Sequence, residues 1–193
     1  MNIDFDKLSK SIFIDHYNFN GLAKTIHDNN AKVGWWEGEQ ACIFQKIQMA
    51  STEIAEATEG ARKNLMDDKL PHRKMEEVEL ADVFIRVLDL GGRMNLSYVV
   101  SWIETEWCDS SNSVGMQHLG INKALIQFAV QVYGESSAPV LSKYYSTIIN
   151  CILRVASNSD YDIMSAMHEK MEFNVTRPDH KLENRAKENG KGF

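Results

Sequence analysis

The chain has 193 residues, 44% of them hydrophobic, and 27 acidic against 21 basic side chains give a formal net charge of −6. That composition suits a soluble globular protein of one domain or two small ones with a sizeable core, and it excludes the basic footprint with which proteins grip nucleic-acid polymers. No run reaches the ~18 apolar residues of a membrane span, and the opening MNIDFDKLSK has no signal-peptide core, so no membrane partner and a cytoplasmic location are expected. Cys42, Cys108 and Cys151 are odd in number and lack metal-ligand spacing, as suits reduced thiols.

Three prolines, at 71, 139 and 178, sit near apparent segment boundaries, and helical periodicity fills the intervals. An all-α helical bundle is expected. Phe19 to Asn30 is read as the first helix, followed by a turn at Gly34-Trp35-Trp36. From Glu39 to about Asn64, apolar residues recur at Ile43, Ile47, Ala50, Ile54, Ala57 and Ala61, the stripe of an amphipathic helix. A polar link through Asp67, Asp68 and Pro71 leads to Met75-Glu-Glu-Val-Glu-Leu-Ala-Asp-Val-Phe-Ile-Arg-Val-Leu-Asp-Leu90, a helix that ends at Gly91-Gly92. Further helices are expected at Ser97 to Trp107, Asn122 to Tyr133, Val140 to Ala156 and Tyr161 to Asn174. Residues 179–193 are polar and read as a tail. Residues 50–60 can be laid on 124–134 and the helix from Asp82 on the segment from Thr147, so residues 94–160 are either an insertion or a degenerate second repeat that has lost its acids.

The acids carry the chemistry. Residues three apart on a helix lie about 60° apart on one face, so Glu53 pairs with Glu56 and Glu79 with Asp82. The second pair belongs to a polar stripe, Glu79, Asp82, Arg86 and Asp89, on a helix otherwise apolar all round. Such a stripe faces a bundle interior or a cleft. Two acid pairs on neighbouring helices repel unless a cation lies between them, and a hard divalent ion, Mg²⁺ first, satisfies oxygen ligands. The blander readings are a solvated Glu-x-x-Glu face and an Asp82–Arg86 ion pair at i, i+4. Glu59, Glu76 and Glu77 are read as solvated. A di-iron bundle would want Glu-x-x-His, and no His follows a Glu at that spacing.

In order along the chain, Ile26-His-Asp-Asn-Asn-Ala-Lys-Val-Gly-Trp-Trp36, Glu53-x-x-Glu56, Glu79-x-x-Asp82, Asp82-Val-Phe-Ile-Arg-Val-Leu-Asp-Leu-Gly91 and Glu169-Lys-Met-Glu-Phe-Asn-Val-Thr-Arg-Pro178 form a recognisable set. Together they resemble the MazG-like branch of the all-α nucleoside triphosphate pyrophosphatases, of the type many phages carry. The likeness covers roughly residues 20 to 93 and 161 to 178. Two departures stand out: Thr52 replaces an acid often found before the first glutamate, and about 65 residues separate segments that nearly adjoin in short relatives.

The resemblance implies hydrolysis of a nucleoside triphosphate to a monophosphate and pyrophosphate in nucleotide pool control, with dGTP the first substrate to try. It makes Glu53, Glu56, Glu79 and Asp82 the metal-binding and catalytic acids, with Mg²⁺ as cofactor and Mn²⁺ as a substitute. Bound metal neutralises the triphosphate and activates water, which a glutamate orients or deprotonates. Lys170, Asn174 and Arg177 are expected at phosphate oxygens, and Arg86 at either Asp82 or substrate. One of Trp35 and Trp36 is expected to stack on the base, with His27, Asn30 or Lys32 at its edge or reaching phosphate. A homodimer or homotetramer is implied, because relatives build sites between subunits. Replacing the acids is expected to stop turnover and spare the fold. The competing hypothesis is a regulatory protein that binds nucleotide or metal without turnover, motivated by Thr52 and the long insertion.

Overall fold

A helix apolar on nearly every side must be enclosed, and Met75–Arg93 is. The computed structural model describes residues 16–99 and 105–177, and among them six α-helices make the architecture. They are α1 (His16–Lys32), α2 (Ile43–Lys63), α3 (Met75–Arg93), α4 (Val114–Tyr133), α5 (Ala138–Asn158) and α6 (Ile163–Thr176). The expected all-α bundle is observed. Helix α3 packs against α1, α2, α5 and α6, and Val78, Leu80, Ala81, Val83, Phe84, Val87 and Leu88 are fully buried between them. Two hairpins, α2–α3 and α4–α5, lie side by side with α2 on α4 and α3 on α5.

Local chemistry sets the boundaries. The turn after α1 is closed by the Gly34 N–H to Ala31 O and the Trp35 N–H to Asn30 O, and Gly34 takes a φ of 79°. Helix α2 starts at Ile43, not Glu39: Gly38–Ala41 is a separate 3-10 turn, and the extended backbone of Cys42 interrupts the path. It stops at Asn64, which adopts the left-handed conformation and donates its N–H to Ala61 O. Helix α4 begins eight residues before the expected Asn122, because the Ser113 hydroxyl caps it by accepting the Met116 N–H. Asp162 caps α6 in the same way through the Ser165 N–H, so that helix starts two residues late.

The helix expected from Ser97 to Trp107 is not seen among the described residues. Between Ser97 and Trp107, residues 97–99 are not helical, the described part after them is a 3-10 turn at Glu106–Cys108, and residues 100–104 lie outside the described segments. The N–H groups of Ser97, Tyr98 and Val99 go to side chains of Ser142, Asn20 and Ser146 at 3.1, 2.9 and 2.9 Å. Periodicity alone could not show that neighbouring helices take these donors. The expected tail at 179–193 also lies outside the described residues.

The end of α3 is packed without spare room. A methyl group on Gly91 would meet the Tyr145 ring at 2.4 Å, and one on Gly92 would meet the Ala23 carbonyl oxygen at 2.3 Å. Both lie far inside van der Waals contact, so α1 and α5 approach α3 only because these side chains are absent. Gly91→Ala is expected to destabilise the fold by about 1–3 kcal/mol, and Gly92→Ala by more, since its obstacle is backbone that cannot rotate away. Urea unfolding of the two variants measures the order; equal midpoints with the parent chain would contradict it.

Candidate functional site

Helices α2 and α3 bring the expected acids together. Glu53, Glu56 and Glu79 each offer a carboxylate oxygen, and the three atoms lie within 4.8 Å of one another. Glu53 and Glu79 are buried, at 7% and 4% exposure, while Glu56 faces outward. Asp82 lies one turn along α3 but is turned to another partner: its Oδ2 accepts the Lys170 Nζ at 2.9 Å. The observed geometry is therefore a three-carboxylate group beside an Asp–Lys pair.

Two cations hold this arrangement. Arg86 donates from Nε to Glu53 Oε1 at 2.9 Å and adds a second bond from Nη2. It braces Glu53 across the α2–α3 contact; of the two partners considered for it, Asp82 is instead bonded to Lys170. Lys170, only 2% exposed, is delivered by α6. The preceding residue fixes it there: Glu169 accepts from Arg73 at 2.7 and 3.1 Å, and Arg73 also reaches Ser165 and Glu77 at 2.7 Å. That network ties the start of α6 to the start of α3.

The electrostatics follow from burial among like charges. Burial pushes the Glu79 carboxyl up, and Asp82, Glu53 and Glu56 push further against the pull of Lys170, so that it sits at about 8. Burial likewise raises Asp82 despite Lys170. Burial disfavours the Lys170 ammonium, but Asp82 and Glu79 more than offset this and hold it above the ordinary lysine value. Four acids thus face two fixed cations, and one acid keeps a proton near neutrality. The set is all oxygen, partly dry and short of positive charge, which fits a hard divalent cation.

The other nominated residues divide. His27, Asn30 and Trp36, expected at a base, instead direct polar atoms at Asp89: His27 Nδ1 lies 2.9 Å from Oδ1, Asn30 Nδ2 donates to Oδ2 at 2.7 Å, and Trp36 Nε1 donates to Oδ1 at 2.9 Å. A buried carboxylate on α3 needs those bonds, and α1 and its turn supply them. Trp36 is 8% exposed, whereas Trp35 is half-buried; Lys46 Nζ lies 5.5 Å from both ring centroids. Lys32 is exposed at the end of α1. Asn174 Oδ1 is buried without a hydrogen-bond partner, and Arg177 lies over the Phe173 ring. Lys170 is committed to Asp82.

Two glutamates read as solvated are buried. Glu77, at 7% exposure, pairs with Arg73. Glu76, at 6%, lies 3.1 Å from His118 Nε2 and accepts the Tyr161 hydroxyl at 2.7 Å, while His118 Nδ1 meets the Thr58 hydroxyl at 2.8 Å. Burial opposes its charge, but His118 and Tyr161 hold Glu76 below the ordinary carboxylate range. Glu59 remains at the surface with Arg62 and Lys63. Asp89 and Glu76 were visible as acids on a helix, but their histidine partners carry no local signal.

Because Glu79 titrates higher in the fold than its ordinary 4.5, its contribution to stability is fully present below 4.5 and is lost as pH rises through about 8. Metal-free protein should therefore show a falling urea midpoint across that window, and Glu79→Gln should flatten the fall. A midpoint independent of pH in the parent chain would contradict the assignment. Comparison of the chain with protein-family models, curated proteins and solved structures finds no match.

Proposed function

We propose that the chain is a Mg²⁺-dependent hydrolase that adds water across the α–β phosphoanhydride of a nucleoside triphosphate, giving a monophosphate and pyrophosphate. The observation that carries this is the meeting of Glu53, Glu56 and Glu79 within 4.8 Å, with Asp82 and Lys170 alongside. These carboxylates would hold the metal, which when bound offsets phosphate charge and makes water acidic enough to attack near neutral pH. Glu56 is the exposed member, open to solvent and able to take a proton from water. Arg86 holds Glu53 in the group through bonds from Nε and Nη2 to its Oε1. Trp35, half-buried, is the more accessible of the two stacking faces for a base, since Trp36 is only 8% exposed. The buried Asn174 carbonyl oxygen is a ready acceptor for a substrate donor.

Residues 94–160 fit the same proposal as a degenerate second repeat. The paired hairpins α2–α3 and α4–α5 support it, with Gln127 and Val130 standing in sequence register with Glu53 and Glu56. A second functional reading, binding without turnover, draws on Arg86 and Lys170, which partly neutralise the acids as a metal-free bundle would require.

Incubating pure protein with each (d)NTP and Mg²⁺ separates the two. Monophosphate and pyrophosphate are expected, dGTP being tried first; no monophosphate from any nucleotide would remove the enzyme. Glu56→Gln is the cleanest variant, because its side chain faces solvent: a fall of about 10²-fold or more in kcat is expected with unchanged helicity and melting. Asp82→Asn should differ. It strips the buried Lys170 of its counter-ion and should cost stability on the order of 3 kcal/mol as well as activity, so the acids do not all spare the fold. Mg²⁺ binding near neutral pH should release a proton from Glu79, read by titration in weak buffer; a release unchanged in Glu79→Gln would contradict that source.

A further inference from the structure

Helix α4 has two apolar faces. One buries Ile121, Ala124, Leu125 and Phe128 in the core. The other, Met116, Leu119, Lys123, Ile126, Val130 and Tyr133, advances by 3, 4, 3, 4 and 3 residues along the outside of the fold. Its apolar members are 39%, 54%, 64%, 59% and 83% exposed, and Phe44 of α2, 45% exposed, lies edge-on to Tyr133. This is the spacing of a coiled-coil seam rather than of a solvated face. The helix contains no Asp or Glu, and Lys123 is its one Lys or Arg. So large and charge-poor a stripe is unusual on a surface that stays in water.

The stripe is complementary to itself. Set antiparallel to a second copy about a two-fold axis, Met116 faces Tyr133, Leu119 faces Val130 and Lys123 faces Ile126, since the numbers in each pair sum to 249. Every exposed apolar residue but Ile126 then meets another apolar one, and Ile126 meets the stem of Lys123. In a parallel pair the two lysines would oppose each other at the centre of the seam. Lys123 is also drawn aside over the Trp107 ring, with Nζ 4.8 Å from the centroid, which leaves its aliphatic stem to cover Ile126. We propose that α4 is the interface of a two-fold homodimer in which the two copies of this helix pack antiparallel. The five apolar members and Phe44, each between 39% and 83% exposed, form the apolar centre that such an interface needs.

The register makes unequal demands on one position. Ile126→Lys sets a lysine against Lys123 of the other copy, twice per dimer, and should weaken association by about 100-fold or more. Ile126→Glu, equally polar, sets a glutamate there and should weaken it by only about tenfold, with a loss that grows at high salt. Sedimentation equilibrium of the full chain and both variants reads the constants, with circular dichroism confirming that each is folded. A monomeric parent chain overturns the proposal, including the case in which α4 amides are protected from exchange because another part of the chain covers them. A dimer unaffected by Ile126→Lys places the interface elsewhere, and equal losses in the two variants exclude the antiparallel register.

Discussion

Helix α3 is enclosed by four other helices, so most of the polar groups on it find their partners outside its own sequence neighbourhood. That constraint organises the molecule. Asp89 is met from α1 and its turn, Asp82 from α6, Glu76 from α4 and Tyr161, and Arg86 reaches across to α2. Each neighbour is held to α3 by apolar contact and also registered against it by at least one directional bond, except α5, which is registered through the close fit of Tyr145 on Gly91. Glu79 is the member without a matching cation of its own, and its raised titration expresses that shortage.

The division between what periodicity reveals and what it conceals falls at this point. The stripe Glu79, Asp82, Arg86, Asp89 and the Glu53–Glu56 pair were legible because helical spacing alone puts each set on one face. So was the bundle itself. That the two sets should meet was an expectation from the resemblance of the motifs in order. Their partners were not legible, because His27 and Asp89 lie 62 residues apart and Glu53 and Arg86 33 apart, and nothing local encodes such contacts. The same blindness explains Glu76 and Glu77, whose positions on the helix look solvent-facing until α4, α6 and the link before α3 are placed around them.

Boundary errors have a related origin. Residues 97–99, expected to open a helix, are not helical, and their backbone donors are met by serine and asparagine side chains on α1 and α5 that lie far away in sequence. The early start of α4 is set by Ser113, although Gly115 and Gly120 lower the helix propensity of its first two turns. Gly120 is instead the place where α4 runs closest to Cys108 and Trp107, with no room for a methyl group.

The bond between Glu76 and His118 gives the segment from residue 94 to 160 a standing that its polar loops would not suggest. It fills the inside of the molecule along one flank of the acidic helices, and His118 is the counterpart of a carboxylate otherwise shut away from water. Removing residues 94–160 would open a wet gap beside α2 and leave Glu76 with half its bonds. A compact version of this protein would need replacement wall material at that flank, either from a neutralised position 76 or from another polypeptide laid in the space that α4 now takes.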